Sequence, residues 1–309
     1  MSNLTYTIRN YQPKDFDKYV LLCGEAAELE PTGCDTSPQA ITEYLGQPNY
    51  SPEQDLFIVE IDGDIAGYMD IKPELAIGRV ILGCWIRPGH LRKGLATRLL
   101  SYSMRRAKKL GATVAHVNIA EDNVVAGRVL SGMGFSPVRR FLRLRLDITD
   151  ARRSNIDQAA LGCCYLQRGE EDKLTQIQNR AFTGTWGYNP NTVEEIIYRT
   201  NLSTYSPEDI VLTCEGNKVI GYCWTGTACG GGAAGKKGGQ ILMLGVDPDY
   251  RGKGVGKKIL LAGLAHLRSR NFQVAELTVD SDNKAAWALY KSVGFKVRTG
   301  SLWYEKVIN

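Results

Sequence analysis

The sequence predicts two consecutive α+β domains, each built on a mixed sheet with helices on both faces. The chain has 309 residues, which leaves room for two domains of roughly 150 residues. One pattern of residues also occurs twice: Lys93-Gly94 returns as Lys253-Gly254, at an offset of 160 residues. Such a long period indicates a duplicated globular domain, because the repeats of solenoid proteins span about 20 to 50 residues. The repeated residues include Pro88, Asp122, Asn123, Gly134 and Phe135, which return as Pro248, Asp282, Asn283, Gly294 and Phe295.

The first elements follow the same order in both halves. Each half opens with a short strand, TYTIRNY or CCYLQRG, which leads into an acidic turn and a helix. Two strands with alternating hydrophobicity come next, LFIVEID and DIAGYMDI in the first half and DIVLTCEG and KVIGYCWTGT in the second. The Asp-Gly and Gly-Asn pairs between them are typical of tight hairpin turns.

The later elements also repeat. A third strand, RVILGCWI or QILMLGVD, leads into a glycine-rich turn and an amphipathic helix. A further strand, a short helix and a last strand after Gly-Phe complete each half. The polar segment 148–160 interrupts the pattern and is interpreted as a linker. The predicted domains are therefore residues 1–147 and 161–309. The apolar face of the second amphipathic helix contains Ile259, Leu260, Leu264 and Leu267.

Composition and charge argue against several classes of protein. Hydrophobic residues make up 43% and charged residues 23% of the chain, as in ordinary soluble globular proteins. The net charge of +5 is mild and the basic residues are scattered, which does not indicate nucleic-acid binding. The first residues lack the pattern of a signal peptide, and no apolar run approaches the roughly 20 residues of a membrane helix. Eight cysteines without a CxxC pair and three histidines argue against a metal site and fit a reducing cytoplasm.

The turn after the third strand of the second half has the features of a phosphate-binding loop. Pro248 ends the strand, and three glycines then allow the backbone to approach a ligand closely. The helix that follows begins with unpaired N–H groups and the positive end of its dipole. The glycines are Gly252, Gly254 and Gly256, and the basic residues among them are Arg251, Lys253 and Lys257. The loop predicts a pyrophosphate site; taken alone, a glycine-rich surface turn would explain it equally well.

Two motifs make the second half resemble the GCN5-related N-acetyltransferase (GNAT) superfamily. The segment R-G-K-G-V-G, after a strand containing Leu-Gly-Val, is similar to the acetyl-CoA-binding Arg-x-x-Gly-x-Gly/Ala motif of that superfamily. The later segment S-D-N-K-A-A-W-A-L-Y-K-S-V-G-F is similar to its Asn…Tyr…Gly-Phe motif. Because both halves carry the pattern, the chain resembles a tandem GNAT protein, whose domains each have a mixed, mostly antiparallel sheet flanked by helices. Its size and two-copy layout are similar to those of mycothiol synthases.

The resemblance implies acetyl-CoA as co-substrate, no metal, and a small-molecule primary amine as acceptor. Backbone amides of the loop would hold the pyrophosphate, and the end of the preceding strand would lie beside the pantetheine arm. Asn283 would contact the cofactor arm or the substrate side. Tyr290 would be the general acid that protonates the departing thiolate, and its alternative role is a packing aromatic. The cofactor-binding residues implied in this way are Leu244, Gly245, Val246, Arg251, Gly252, Lys253, Gly254, Val255, Gly256, Lys257 and Asn283.

The two copies differ at positions that bear on catalysis. Leu91 stands where the second copy has Arg251, and Leu130, which cannot donate a proton, stands where it has Tyr290. The second copy is therefore predicted to be catalytic, and the first to be a scaffold or a cofactor-binding domain. A second candidate cofactor site consists of Arg92, Lys93, Gly94, Leu95 and Ala96. The open alternatives are a first domain with its own acid, acetylation of a protein or peptide amine, and non-catalytic acyl-CoA binding.

The general base and the acceptor pocket stay open at this point. Gln240 occupies the strand position at which mycothiol synthase-like enzymes are expected to have a glutamate, and an amide cannot accept a proton at physiological pH. The nearby carboxylates are Glu276, Asp280 and Asp282. The acceptor pocket is predicted around Trp186, Tyr188, Glu194 and Glu195, which would receive a cationic amine or form a loop anchored by one buried aromatic. The segment 230–237 imitates a P-loop without its hydroxyl residue or helix, so it is interpreted as a hairpin tip, and a substrate-gating loop is the alternative.

Overall fold

The computed structural model describes residues 5–29, 35–149, 161–228 and 237–308, and it confirms the predicted α+β class. The first sequence half contains β1 (Thr7–Asn10), α1 (Phe16–Leu29), α2 (Pro38–Leu45), α3 (Pro52–Asp55), β2 (Leu56–Ile61), β3 (Asp64–Glu74), β4 (Arg79–Ile86), α4 (Leu95–Lys109), β5 (Val114–Ala120), α5 (Val124–Gly132) and β6 (Ser136–Asp147). The second half contains β7 (Cys163–Tyr165), α6 (Glu171–Phe182), α7 (Val193–Thr200), β8 (Ile210–Glu215), β9 (Lys218–Thr227), β10 (Gly238–Val246), α8 (Val255–Ser269), β11 (Val274–Asp280), α9 (Lys284–Val293) and β12 (Lys296–Val307).

Both predicted hairpins are present. Asp62 and Gly63 connect β2 to β3 with φ of 50° and 79°, the left-handed pair that a tight hairpin turn requires. Gly216 makes the corresponding turn between β8 and β9 with φ of 56°. The glycine-rich tip between β9 and β10 falls on residues 229–236, outside the described residues.

Helices α2 and α7 were not predicted, although each begins with a recognisable cap. The Ser37 side chain accepts a hydrogen bond from the backbone N–H of Ala40 at the start of α2. Thr192 and Glu195 form a capping box at the start of α7. Both helices are eight residues long, so each offers too few turns for a clear apolar period.

The chain divides into two compact units that exchange their last strands. Unit 1 comprises residues 1–139 and 302–309, and unit 2 comprises residues 140–301. In unit 1 the strand order is β1-β2-β3-β4-β5, followed by the end of β12. In unit 2 the order is β6-β11-β10-β9-β8-β7. This division differs from the predicted domains 1–147 and 161–309, because a repeat along the sequence does not reveal which copy a strand joins. Most of the predicted linker, residues 150–160, lies outside the described residues.

Apolar side chains cover both faces of each sheet. Along β9, Cys223 contributes to the core that contains the predicted apolar face of α8. Its neighbours Tyr222 and Trp224 contribute to a separate core with α6 and α7. This alternation follows from the period of two along a strand, and it places α6 and α7 on the face opposite α8.

Candidate active site

The sheet of unit 2 opens between β10 and β11. The two strands pair in parallel from Gly238–Val274 to Ile241–Leu277, while β11 stays paired with β6 as far as Asp280. Within the described part of the chain, residues 242–246 have no partner on the β11 side. Such an edge presents unpaired N–H and C=O groups to which an extended ligand can add. The predicted residues Leu244, Gly245 and Val246 lie on this edge.

A β-bulge at the opening distinguishes unit 2 from unit 1. The pairing of β10 with β9 shifts between Ile241 and Met243, so Leu242 is the extra residue. In unit 1, β4 also leaves β5 after Ile81, but its pairing with β3 has no shift. A bulge re-aims the backbone of its strand and is frequent beside active sites. The sequence did not predict it, because Leu242 carries no glycine or proline signal.

Gly245 is required by close packing at this edge. A Cβ atom on Gly245 would collide with Tyr222 Cε1 and lie 3.0 Å from the Cβ atom of Ala181. Tyr222 is fully buried on β9, and a close-packed core leaves its ring no free space. Unit 1 has Trp85 at the matching position, so this arrangement belongs to unit 2.

We expect Gly245→Ala to destabilise the protein by about 1–3 kcal/mol, the usual cost of overpacking a core. Gly83→Ala on β4 is the matched control, because the nearest atom to its Cβ would be Asp70 Cβ at an ordinary 3.9 Å. Urea unfolding of both variants measures the difference. Equal stability of the two variants would contradict the close contact at Gly245.

The predicted phosphate loop has the backbone of an anion-binding site. Gly252 and Gly254 adopt left-handed conformations with φ of 73° and 83°, which a side chain would strain. α8 begins at Val255 with Gly254 as its N-cap, and no side chain caps its first turn. The N–H groups of that turn have no acceptor inside the helix and lie at the positive end of its dipole. The loop therefore fits a pyrophosphate group through its backbone.

Asp247 connects the start of this loop to two other elements. Its carboxylate accepts a hydrogen bond from Arg180 Nε at 2.8 Å and one from the backbone N–H of Asp249 at 3.0 Å. Lys218 Nζ lies 3.0 Å from the same carboxylate. Burial alone would raise the pKa of Asp247, but the hydrogen bonds from Arg180, Asp249 and Lys218 outweigh it and lower the pKa to about 2. Asp247 is therefore a buried carboxylate that stays ionised at neutral pH.

Arg251 contacts helix α6. Its Nη2 atom donates to the backbone carbonyl of Ala181 at 2.6 Å, in the last turn of α6. A cation suits this end of a helix, where the carbonyl groups have no partner inside the helix. The side chain of Arg251 thus holds α6 against the loop. The backbone N–H of Arg251 donates to the Pro248 carbonyl at 3.3 Å, so the amide that was predicted to contact the pyrophosphate already has an acceptor.

Tyr290 lies in the core of unit 2 with its ring against Phe295. The ring centroids are 5.9 Å apart in edge-to-face geometry, and Tyr290 is 7% exposed. Burial raises the pKa of its hydroxyl group, and Cys223 adds to the shift. The phenol therefore stays protonated through the neutral range and can donate a hydrogen bond. Leu130, the matching residue of unit 1, is a buried core residue and offers no donor.

Asn283 caps helix α9. Its Oδ1 atom accepts a hydrogen bond from the backbone N–H of Ala286 at 3.0 Å, and Asn123 does the same for Ala126 in unit 1, also at 3.0 Å. This N-cap explains why asparagine stands at both positions. The predicted cofactor contact of Asn283 would use its amide nitrogen, and it stays a prediction.

Comparison with known proteins identifies the family. A model of the acetyltransferase (GNAT) family matches residues 25–135 and, a second time, residues 172–295. The chain belongs to the GNAT family. It is an acyltransferase, and its predicted tandem GNAT fold is confirmed.

Relatives and solved structures cover both halves of this GNAT protein. The mycothiol acetyltransferase of Thermobispora bispora is 29% identical over 258 residues, which cover 81% of this chain and 83% of the relative. That of Amycolatopsis mediterranei is 26% identical over 270 residues, which cover 83% and 88%. A GNAT structure from Sphaerobacter thermophilus has a TM-score of 0.70 at 20% identity and covers 98% of this chain and 96% of its own. A tandem GNAT protein of clavulanic acid biosynthesis has a TM-score of 0.69 at 14% identity and covers 99% of both chains. The two structures show the shared fold alone, and the relatives confirm the predicted similarity to mycothiol synthases.

The GNAT domain of unit 1 keeps the loop backbone with different side chains. Gly94 has φ of 71°, and Arg92, at the place of Gly252, has φ of 61°. A side chain in this conformation costs about 1–2 kcal/mol, so the surrounding structure must hold the loop in place. Lys93 Nζ donates to the Tyr6 hydroxyl at 2.9 Å and to the Gly89 carbonyl at 3.1 Å. A ligand at this second candidate site would compete with those bonds.

Two of the residues predicted for the acceptor pocket have internal partners. The Tyr188 hydroxyl donates to Asn179 Oδ1 at 2.8 Å, and Glu195 accepts from the backbone N–H of Thr192 at 2.8 Å in the α7 capping box. The Trp186 ring lies 6.0 Å from that of Phe141. Glu194 lies exposed in the first turn of α7, and hydrogen bonds from its own backbone N–H and from the Thr192 side chain lower the pKa of its carboxyl group.

Helix α6 and the face of β9 toward it carry three buried donors that have no acceptor among the described residues. They are Gln178 Nε2, the Tyr222 hydroxyl and Trp224 Nε1. The Arg199 guanidinium lies 4.9 Å from the centre of the Trp224 ring. A buried donor without an acceptor is costly, so each of these groups would be stabilised by a buried water molecule that accepts its hydrogen bond. Sequence reasoning missed it, because the donors come from elements far apart in the chain.

The carboxylates of Glu276 and Asp280 on β11 already have partners. Glu276 Oε2 accepts from Arg143 Nε at 2.9 Å, and Glu276 Oε1 lies 3.7 Å from Arg145 Nη1. Gln240 is the register partner of Glu276 on β10. Asp280 Oδ1 accepts from the backbone N–H of Asp282 at 3.0 Å. Glu276 is therefore neutralised by two arginines, which makes it a poor candidate for a general base.

Membrane spans and metal sites are both absent from the ranges that the structure describes. No helix there is both long and apolar enough to cross a bilayer. No three His, Cys, Asp or Glu side chains in those ranges come together as a metal site.

Proposed function

We propose that this GNAT protein transfers the acetyl group of acetyl-CoA directly to a primary amine of a small molecule, and that its active site lies in unit 2. The observation that carries the proposal is the β-bulge at Leu242, which unit 2 has where β10 leaves β11 and which β4 of unit 1 lacks. The sequence difference supports it, because the second copy alone has Arg251 and Tyr290 at the matching positions.

The residues of unit 2 fit acetyl-CoA in two places. The N–H groups of residues 252–257 would hold the pyrophosphate at the start of α8. The edge of β10 at residues 244–246 would pair with the pantetheine arm as an added strand. When bound, acetyl-CoA supplies an acetyl group activated as a thioester. The backbone N–H groups near the bulge would stabilise negative charge that develops on the carbonyl oxygen.

Tyr290 would act on the leaving group. A thiol with a pKa near 8.5 leaves readily as a thiolate, so it needs only modest help. The raised pKa makes the Tyr290 phenol a weak acid, and its contribution is therefore hydrogen-bond donation to the sulfur more than full proton transfer.

The attacking amine must be neutral. Because Glu276 is paired with two arginines, we assign no side chain as general base. The amine is expected to lose its proton to solvent before it attacks, so the rate should rise as the pH approaches the pKa of the free amine.

The acceptor is proposed to be a small polar amine. The relatives are named for the acetylation of mycothiol, which supports a small-molecule acceptor over a peptide. Gln240 stands where mycothiol synthase-like enzymes are expected to have a glutamate. We therefore propose the class of the acceptor and no single compound.

A panel of amines tests this proposal through release of free thiol from acetyl-CoA. The panel contains amino sugars, amino acids, diamines and a peptide with a free amino terminus. We expect at least one small polar amine to exceed the peptide by about tenfold or more in kcat/KM, a difference within reach of a binding pocket. A peptide that reacts best would contradict the small acceptor, and no thiol release with any amine would contradict the activity.

A further inference from the structure

The ion cluster around Asp247 lies at the junction of the two places where acetyl-CoA would bind. Asp247 follows the last residue of β10 and precedes the loop that leads to α8. Arg180 comes from α6 and Lys218 from the start of β9. Asp247 is fully buried, and its backbone N–H also donates to the Ile220 carbonyl at 2.9 Å. Asp247 is therefore bonded to α6 through Arg180 and to β9 through Lys218 and Ile220.

Unit 1 builds the same cluster with every charge reversed. Arg87 stands at the matching position, again just before a proline. Its Nε and Nη2 atoms donate to Glu25 of α1 at 2.7 and 2.9 Å, and its Nη1 atom donates to Asp64 at the start of β3 at 2.6 Å. The copies thus place opposite charges on the same three elements. In both units, ion pairs connect the end of the third strand to a helix and to the start of the preceding strand, whichever sign the charges have.

Helix α6 contacts the loop at further points in unit 2. Arg180 Nη2 also donates to the Asp249 side chain at 2.5 Å, and the next residue, Ala181, accepts from Arg251. Arg180 is half-exposed, whereas the Asp247 side chain is only 1% exposed. The buried carboxylate is therefore the fixed centre of the cluster, and the arginine joins it to the loop.

We propose that Asp247 is a positioning residue for acyl transfer, which sets the distance and angle between the β10 edge and the start of α8. The inference rests on the proposed use of acetyl-CoA by unit 2. One cofactor molecule must occupy both places at once, and binding at the second place benefits from the first only if their spacing is correct. If the spacing is no longer fixed, ligands that occupy both places should bind and react less well. Ligands that occupy only one place should be unaffected.

Asp247→Asn tests this with ligands of different length. We expect kcat/KM for acetyl-CoA to fall by about tenfold or more, as small misplacements of a reacting group do. S-acetylpantetheine, which lacks the pyrophosphate, should lose less than about twofold, because no second site is left to couple. The affinity for ADP, whose diphosphate would occupy the loop alone, should stay equal or increase slightly, because a negative charge has been removed. Equal losses for acetyl-CoA and S-acetylpantetheine would overturn the proposal.

Two further variants separate positioning from a general loss of structure. Glu208→Gln removes the same charge from an exposed position of unit 2 outside the cluster, so it should change kcat/KM by less than about twofold. The triple variant Asp247→Arg, Arg180→Glu and Lys218→Asp copies the charges of unit 1. It should recover most of the activity that Asp247→Asn loses. A triple variant that folds, judged by circular dichroism, but stays as impaired as Asp247→Asn would also overturn the proposal.

Titration with free coenzyme A distinguishes this inference from the proposed function. If the wild-type protein binds coenzyme A but acetylates no amine, the proposed activity fails. The positioning role of Asp247 is still tested, because Asp247→Asn must then weaken the binding of coenzyme A and leave the binding of ADP unchanged. Unchanged coenzyme A affinity in Asp247→Asn would contradict the positioning role on its own.

Discussion

Gly254→Glu is expected to weaken acetyl-CoA binding to unit 2 by at least about a hundredfold, equivalent to roughly 2.7 kcal/mol. Gly254 has φ of 83° and is the N-cap of α8, so a side chain there strains the backbone. The added carboxylate would also lie at the helix end where the pyrophosphate is proposed to bind, and two anions would compete for the same N–H groups. Calorimetric titration with acetyl-CoA measures the loss.

The chain provides a matched control for this variant. Gly94 has φ of 71° and is the N-cap of α4 in unit 1, so Gly94→Glu introduces the same strain and the same charge in the other copy. We expect it to leave the unit 2 binding event unchanged. Binding that survives Gly254→Glu with the same stoichiometry and affinity would contradict the assignment of the loop.

Tyr290→Phe is expected to lower kcat by about 10- to 100-fold, toward the lower end of what a positioned acid contributes. The phenylalanine ring keeps the edge-to-face contact with Phe295, so stability and cofactor affinity should change little. Some activity should remain, because a thiolate is a good leaving group. Steady-state rates together with the acetyl-CoA Kd separate these effects.

Leu130→Met is the volume-conserving control for Tyr290→Phe. Leu130 holds the matching place in unit 1 and is 7% exposed, as is Tyr290. Leu130→Met should leave kcat within about twofold, because swaps of similar volume are tolerated in cores. A Tyr290→Phe enzyme with wild-type kcat would remove Tyr290 from the mechanism and leave it a packing residue.

Local patterns in the sequence predicted most of the secondary structure. The predicted strands RVILGCWI and KVIGYCWTGT match the observed bounds of β4 and β9, residues 79–86 and 218–227. Asp62-Gly63 predicted a hairpin turn, since only a few residue types adopt its left-handed backbone readily. The glycines of the loop predicted the left-handed turns at Gly252 and Gly254. In each case the cause lies within a few residues of the effect.

Features that depend on distant parts of the chain could not be predicted in this way. The exchange of β6 and the end of β12 depends on which sheet each strand joins, and both copies carry the same local signals. The bulge at Leu242 depends on the register between β10 and β9. The Asp247 cluster joins three elements, and its reversed counterpart at Arg87 hides the similarity from a search for identical residues.

The residues predicted for the acceptor pocket also depend on contacts between distant parts of the chain. The sequence predicted Tyr188 and Glu195 as acceptor contacts, but their polar atoms have partners within the protein. The buried donors of Gln178, Tyr222 and Trp224 have no common sequence motif. Residue type indicates what a side chain is able to do, whereas its partners are set by the packing of α6, α7 and β9.

The central claim is that unit 2 carries out acyl transfer and that unit 1 does not. Thiol release from acetyl-CoA by Gly94→Glu and Gly254→Glu, assayed side by side with the best amine of the panel, tests it most directly. We predict that Gly94→Glu keeps at least about half of the wild-type kcat/KM and that Gly254→Glu falls by about a hundredfold or more. The opposite pattern, with Gly94→Glu inactive and Gly254→Glu active, would move the active site to unit 1 and contradict the account.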